Sequence, residues 1–273
     1  SDLVVISALL MTLVSVQFGI SWEVAFICSS GFVLTSTAIV MQVLGERKRL
    51  STRPGQKMVS ILLFEDLLIV PLLAIVTYLS PLETESSISW WESATIALVA
   101  LAILVLIGRF ILNPVFRILA DSKAREVMTA AALFVVLGSA LLMEEAGLSQ
   151  AMGAFVAGVM LSESAFRHQL EADIEPFRGL LLGLFFLGVG MSLNLTVVAE
   201  NWMLIGIGVF ALMLTKGICI YLVARAAKST HKTAMERALL MAQGGEFAFV
   251  LFAQAFNQKV IDETVNANMT AIV

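Results

Sequence analysis

Nine apolar runs separated by short polar stretches organise this chain. They fall at about 3–20, 23–44, 58–79, 91–112, 126–143, 148–163, 179–193, 203–224 and 238–256. Several approach the about 20 residues that an α-helix needs to cross a roughly 30 Å hydrocarbon core. A tenth run begins near 267 and stops at Val273, far too short to cross. The first run follows Ser1-Asp2 at once, with no initiator Met, basic leader or small-residue cleavage site, so it reads as a span and not as a signal peptide. The expectation is an all-α integral membrane protein: one transmembrane domain over 1–273, with nine full spans and the start of a tenth, truncated at both ends.

The polar stretches sort by charge. Arg47, Lys48, Arg49, Arg53 and Lys57 share one connection; Arg109, Arg117, Lys123 and Arg125 flank a second; Arg167 and Arg178 bound a third; Arg225, Lys228, Lys232 and Arg237 fill a fourth. With alternating spans, all four lie on one side of the membrane. The opposite connections carry Glu83, Glu85, Glu92, Glu144, Glu145, Glu200, Asp262 and Glu263, with Lys259 as their one basic residue. The excess of basic residues in short loops puts the first side in the cytoplasm. A missed or invented span would scramble this partition. Trp90, Trp91 and Trp202 fall at span ends, where interfacial aromatics belong.

Composition agrees with the pattern. Hydrophobic residues make up 59% and charged residues 14%, against roughly a quarter charged in a soluble domain. A net charge of −4 without a basic aromatic-rich patch argues against nucleic acid as a partner. Cys28 and Cys219 lie in separate apolar runs and read as small hydrophobes, not as a disulfide framework or metal site. His168 and His231 have no ligand partners in sequence and receive no role.

Charges inside the spans are the informative exceptions, because each costs on the order of 2.5–3.5 kcal/mol to insert. Glu65 and Asp66 lie in Leu62-Leu63-Phe64-Glu65-Asp66-Leu67-Leu68, about seven residues or roughly 11 Å into their span. Adjacent helical residues point about 100° apart, so one acid is free to face a neighbouring helix while the other faces a cavity. A water-filled crevice that merely tolerates both is the plainer reading. Lys216, mid-span in 203–224, supplies the opposite charge, and an ion pair with one of the two acids spares an isolated ammonium. The plainer alternative is a lysine snorkelling to the interface, but about nine residues separate it from the basic end of its span, further than its stem reaches. Glu246 is a fourth, shallower case.

Two spans have interiors unlike the rest. Gly31-Phe32-Val33-Leu34-Thr35-Ser36-Thr37 places three consecutive hydroxyl residues at mid-membrane, and Gln243-Gly244-Gly245-Glu246 sets two glycines among polar groups. Both read as broken helices, tolerated only inside protein or beside a cavity, although Ser, Thr and Gly also serve ordinary helix packing. Half-helix ends then offer carbonyls to cations and amides to anions. Spans 3–20, 23–44 and 58–79 form one triplet, and 203–224, 238–256 and the run from 267 form another. Each has its broken member in the middle, and the two triplets start from opposite sides, the pattern of an inverted repeat.

These stretches resemble the membrane domain of Kef-type potassium/proton antiporters, in the monovalent cation:proton antiporter-2 family. The matching segments are Leu34-Thr35-Ser36-Thr37-Ala38-Ile39, Phe64-Glu65-Asp66, Glu171-Ala172-Asp173-Ile174-Glu175-Pro176-Phe177, Gly179 to Phe186 with Val189-Gly190-Met191, and Gln243-Gly244-Gly245-Glu246-Phe247-Ala248-Phe249-Val250. They cover almost the whole chain in the family's order. The resemblance implies the sodium/proton antiporter fold with two crossed discontinuous helices, meeting through Thr35, Ser36, Thr37, Gly244, Gly245 and Glu246. It implies Asp66 as the residue that binds cation and proton in turn, and Lys216 paired with the preceding residue, here Glu65. It further implies a homodimer in the inner membrane, an elevator-like movement of a core domain, and a loop at His168 to Glu175 whose acids, Glu171, Asp173 and Glu175, contact a cytosolic domain; a solvated acidic linker is the plainer reading of that loop. No cofactor is expected within this chain; Kef-type members carry a nucleotide-binding regulatory domain after the last helix, and the sequence leaves open whether one follows Val273. Glu65 departs from the Gln of Kef-type systems and from the Asp of electrogenic sodium/proton members.

The implied function is secondary transport, not enzymatic catalysis: exchange of K+ or Na+ for protons across the bilayer. Cation and proton compete for Asp66, with Glu65, Thr35, Ser36 and exposed carbonyls completing a hard-cation shell. The rival reading is a Kef-like gated potassium efflux channel without obligatory proton coupling. An intramembrane aspartyl protease needs a second mid-membrane Asp that the sequence lacks.

Overall fold

The computed structural model describes residues 2–17, 19–81, 90–121 and 125–273. Glu83, Glu85 and Lys123, used above to orient the chain, lie outside the described residues, as do the side chains of Trp90, Trp91, Glu92 and Arg125. The described residues form helices and no strand. They divide into two units, residues 1–82 with 193–273, and residues 83–192.

The first unit opens with α1 (Asp2–Gln17), α2 (Trp22–Val33), α3 (Thr37–Glu46) and α4 (Arg53–Tyr78). Helix α4 starts sharply because Thr52 accepts from the Gly55 amide at 3.2 Å and Pro54 fits the first turn, where its missing N–H costs nothing. The unit closes with α10 to α14, described below. Its core joins Val4, Val33, Val40, Leu44, Met58, Leu62, Ile220, Ala238 and Met241.

The second unit contains α5 (Trp90–Ile107), a π-helical turn at Gly108–Leu112, α6 (Asn113–Asp121), α7 (Arg125–Glu145), α8 (Gln150–Ser162) and α9 (Arg167–Ser192). Leu112, Phe116, Met128, Ala132, Leu161 and Leu170 form its core. Two sequence expectations change here. Helix α5 does not end at 112: it passes through the π turn into α6, so Arg109 and Arg117 stand on continuous helix. The segment read as a loop around Glu171, Asp173 and Glu175 is the first half of α9. Leu170 and Ile174, one turn apart, pack into the core and wind that segment into the helix, with Asp173 buried on the same side. Glu171 and Glu175 point outward. Pro176 sits inside the helix, as membrane helices tolerate.

The first unit resumes with α10 (Leu195–Glu200), α11 (Trp202–Ala226), α12 (His231–Met241), α13 (Glu246–Asn257) and α14 (Glu263–Ile272). Arg237 lies on α12, buried beside Ala234, Ala238 and Met241, and not in the basic connection. Its neighbour Glu236 accepts from Arg49 and lies 3.9 Å from Arg47, which ties α12 to the segment after α3. Helix α14 begins earlier than the apolar run, at the turn where Asp262 accepts from the Val265 amide at 2.7 Å.

All nine expected segments are helical. Among the described residues, six helices are long and apolar enough to cross a membrane, or seven if the bent α12–α13 pair is one span. Helices α1 and α8 are apolar but shorter. A tight turn joins α7 to α8, with Gly147 at φ +76°, a conformation that favours glycine.

Candidate functional site

Both expected breaks are present in the first unit. Residues 34–36 interrupt α2 and α3, and residues 242–245 interrupt α12 and α13, which bend by 48°. The breaks touch. A Cβ on Gly245 would stand 2.7 Å from the carbonyl carbon of Thr35 and 2.9 Å from the Ser36 nitrogen, so only glycine admits this approach. Helix α13 packs on α2 and α4, with the Phe32 and Phe252 rings edge to face at 5.8 Å.

Four half-helix ends converge at the crossing, and each charged group sits at the pole that suits it. Helices α2 and α12 end there with carbonyls that have no intrahelical partner. Lys216, 1% exposed, donates to Leu34 O at 3.0 Å and Gln243 O at 2.8 Å. Its ammonium thus caps both negative poles, the arrangement favoured by the helix dipole. The positive poles, the first turns of α3 and α13, face carboxylates. The Thr37 hydroxyl lies 3.0 Å and 3.2 Å from the two oxygens of Asp66. Glu246 opens α13 and is an electrostatic neighbour of Asp66.

The two adjacent acids have separate surroundings. Glu65, 1% exposed, accepts from the Thr35 amide at 2.9 Å. Asp66 is half-buried and has the Thr37 hydroxyl as its hydrogen-bond partner. Helical geometry produces the split, since neighbouring side chains on α4 diverge by about 100°.

Glu65 and Lys216 are not in direct contact. One peptide unit lies between them: Leu34 O accepts from Lys216, and the N–H on the other end of the same peptide, that of Thr35, donates to Glu65. The charges interact across this plane. Residue identities carry no sign of this relay, because its chemistry belongs to the backbone. The Gln243 carbonyl escaped sequence reasoning for the same reason.

The hydroxyls also divide their tasks. Thr37 faces Asp66, Thr35 contributes its amide to Glu65, and Ser36 caps α3 by accepting from the Ile39 amide at 3.4 Å. Gly244 lies against Val273 at the end of α14. Glu171, Asp173 and Glu175 belong to the other unit. Chemically, the site offers one locked carboxylate, Glu65, a more open pair, Asp66 and Glu246, and a buried ammonium held by backbone.

Residues 3–273 match the transmembrane sodium/hydrogen exchanger family. The chain is 55% identical over 256 residues to a glutathione-regulated potassium-efflux system protein of Haemophilus influenzae, covering 93% of this chain and 41% of that relative. It is 43% identical over 248 residues to the glutathione-regulated potassium-efflux system protein KefC of Cronobacter sakazakii, covering 90% of this chain and 40% of the relative. The chain thus spans about two fifths of the length of these relatives. Both agree with the Kef-type resemblance read from the motifs.

Proposed function

The chain belongs to the sodium/hydrogen exchanger family, a family of transporters and not of enzymes, and we propose that it exchanges a monovalent cation for protons at Asp66. The difference between the two acids carries this reading. Glu65 is locked by a backbone amide and fully buried, whereas Asp66 is half-buried with a single hydroxyl at its oxygens. Of the two acids on α4, Asp66 is the one open enough to change ligand. A proton and a cation compete for those oxygens, and coupled exchange follows if only occupied states cross. The Thr37 hydroxyl and backbone carbonyls at the crossing complete a hard-cation shell.

Lys216 offsets Glu65 through the Leu34–Thr35 peptide, while Glu246, at the start of α13, adds a negative charge that favours a cation or a proton on Asp66. Potassium is the proposed cation by analogy with the named relatives, with sodium as the competitor that Glu65 keeps in play. The proposed setting is the inner membrane, with the basic connections cytoplasmic and the protein a homodimer. Glu171 and Glu175, outward on α9, are the proposed contact for a regulatory domain.

Everted vesicles containing the protein should dissipate an imposed pH gradient when K+ or Na+ is added, and Asp66→Asn should abolish this. Undiminished exchange in that variant refutes the assignment. Cation flux that persists without counter-movement of protons favours the channel reading instead. Glu65→Gln should retain exchange with altered stability or charge stoichiometry.

A further inference from the structure

The second unit carries two exposed arginines on an otherwise apolar membrane helix, and the exchange reading uses neither. Arg109, Asn113 and Arg117 recur at every fourth position through the π turn and α6, and all three are exposed. The opposite side of the same stretch, Leu112 and Phe116, is buried in the core. Arg109 lies about 19 residues beyond Trp90, roughly 28 Å along the helix, which puts it near the far edge of a roughly 30 Å hydrocarbon core. An arginine there extends its guanidinium to the headgroup layer.

The surroundings of Asn113 fix the direction of one donor, its own NH2. Its Oδ1 accepts from the Ser164 hydroxyl and the Ala165 amide, both at 3.1 Å. Because the Ala165 amide can only donate, the carboxamide orientation is fixed and its NH2 is turned away from these partners. Beside it, Arg109, Asn113, Glu163, Ser164 and Met160 line a hollow of about 170 Å³. Glu163 is the one acid in this lining. Arg109 and Glu163 balance within the lining, and Arg117, four residues beyond Asn113 on α6 and outside the hollow, adds one positive charge, which matches a phosphodiester better than a doubly charged phosphomonoester.

We propose that Arg109, Asn113 and Arg117 bind the phosphodiester headgroup of an anionic phospholipid in the leaflet on the basic side. Basic pockets between membrane helices bind such headgroups. The site is independent of Asp66, so its failure leaves the exchange reading untouched.

The test titrates the delipidated full chain with phosphatidylglycerol, phosphatidylcholine or soluble glycerol phosphate, reading melting temperature and lipid adducts by native mass spectrometry. Phosphatidylglycerol should bind and stabilise, and the other two should not match it. Arg109→Gln and Arg117→Gln should each weaken that affinity roughly fivefold, the equivalent of about 1 kcal/mol per basic residue near a charged surface. Asn113→Asp should weaken it comparably while keeping side-chain size, which covers the case of arginine variants that fail to fold. Arg178→Gln, an exposed arginine on α9, should leave the affinity unchanged. Equal binding of phosphatidylcholine, full competition by glycerol phosphate, or unchanged affinity in the Asn113→Asp or double arginine variant overturns the proposal.

Discussion

Replacing Lys216 with methionine separates the contribution of the crossing's charge from that of its packing. Methionine nearly fills the lysine's volume but removes both donated bonds, stranding the Leu34 and Gln243 carbonyls. Each stranded group costs about 1–3 kcal/mol. The variant also leaves Glu65 as a buried charge without a compensating cation. Breaking a buried pair by removing one partner costs about 3–5 kcal/mol in total. For a chain of this size that corresponds to a fall in melting temperature on the order of 10 °C. Glu65→Gln/Lys216→Met keeps the carbonyl loss but removes the stranded charge, and the Thr35 amide still finds a side-chain oxygen. About 2 kcal/mol should therefore return, a coupling typical of residues in one network. Thermal melts of the parent, both single variants and the double variant in one detergent measure it. A double variant no more stable than Lys216→Met would mean that the peptide plane does not couple the two charges, and the relay described here would be wrong.

Other outcomes follow from the same geometry. Thr37→Val removes the hydroxyl beside Asp66 and should raise the cation concentration for half-maximal exchange about fivefold, the equivalent of about 1 kcal/mol, with melting temperature near the parent; equal loss in Thr35→Val and none in Thr37→Val would contradict the observed hydroxyl placement. Gly245→Ala drives a methyl group into the Thr35 peptide and should cost about 1–3 kcal/mol through overpacking, together with slowed exchange, readable by thermal melts and vesicle assays.

Much of this architecture was legible because membranes punish ambiguity. Apolar runs near the thickness of the bilayer fell on helices throughout the described residues, although six of those helices, or seven with the bent α12–α13 pair, are long and apolar enough to cross. Breaks at 34–36 and 242–245 showed in sequence because hydroxyl triplets and paired glycines are conspicuous at that depth. Helix ends were less legible. Residues 167–178 are polar enough to read as a loop, yet Leu170 and Ile174 find a core and carry the helix through them. Arg237 read as a loop charge until α12 enclosed it. Within the site, residue identities pointed to the right neighbourhood but not to the partners. Which hydroxyl reaches Asp66, and what stands between Glu65 and Lys216, depends on where the backbone unwinds.

The Leu34–Thr35 peptide has a mechanical consequence. A trans peptide is a stiff plate, with a barrier of about 18–20 kcal/mol to twisting about its central bond, and its carbonyl and N–H point in opposite directions. Tilting that plate to release Glu65 necessarily swings the carbonyl away from Lys216. The two contacts therefore behave as the ends of a seesaw pivoting in the unwound segment. Any event that loosens one charge is transmitted to the other without a side chain changing rotamer.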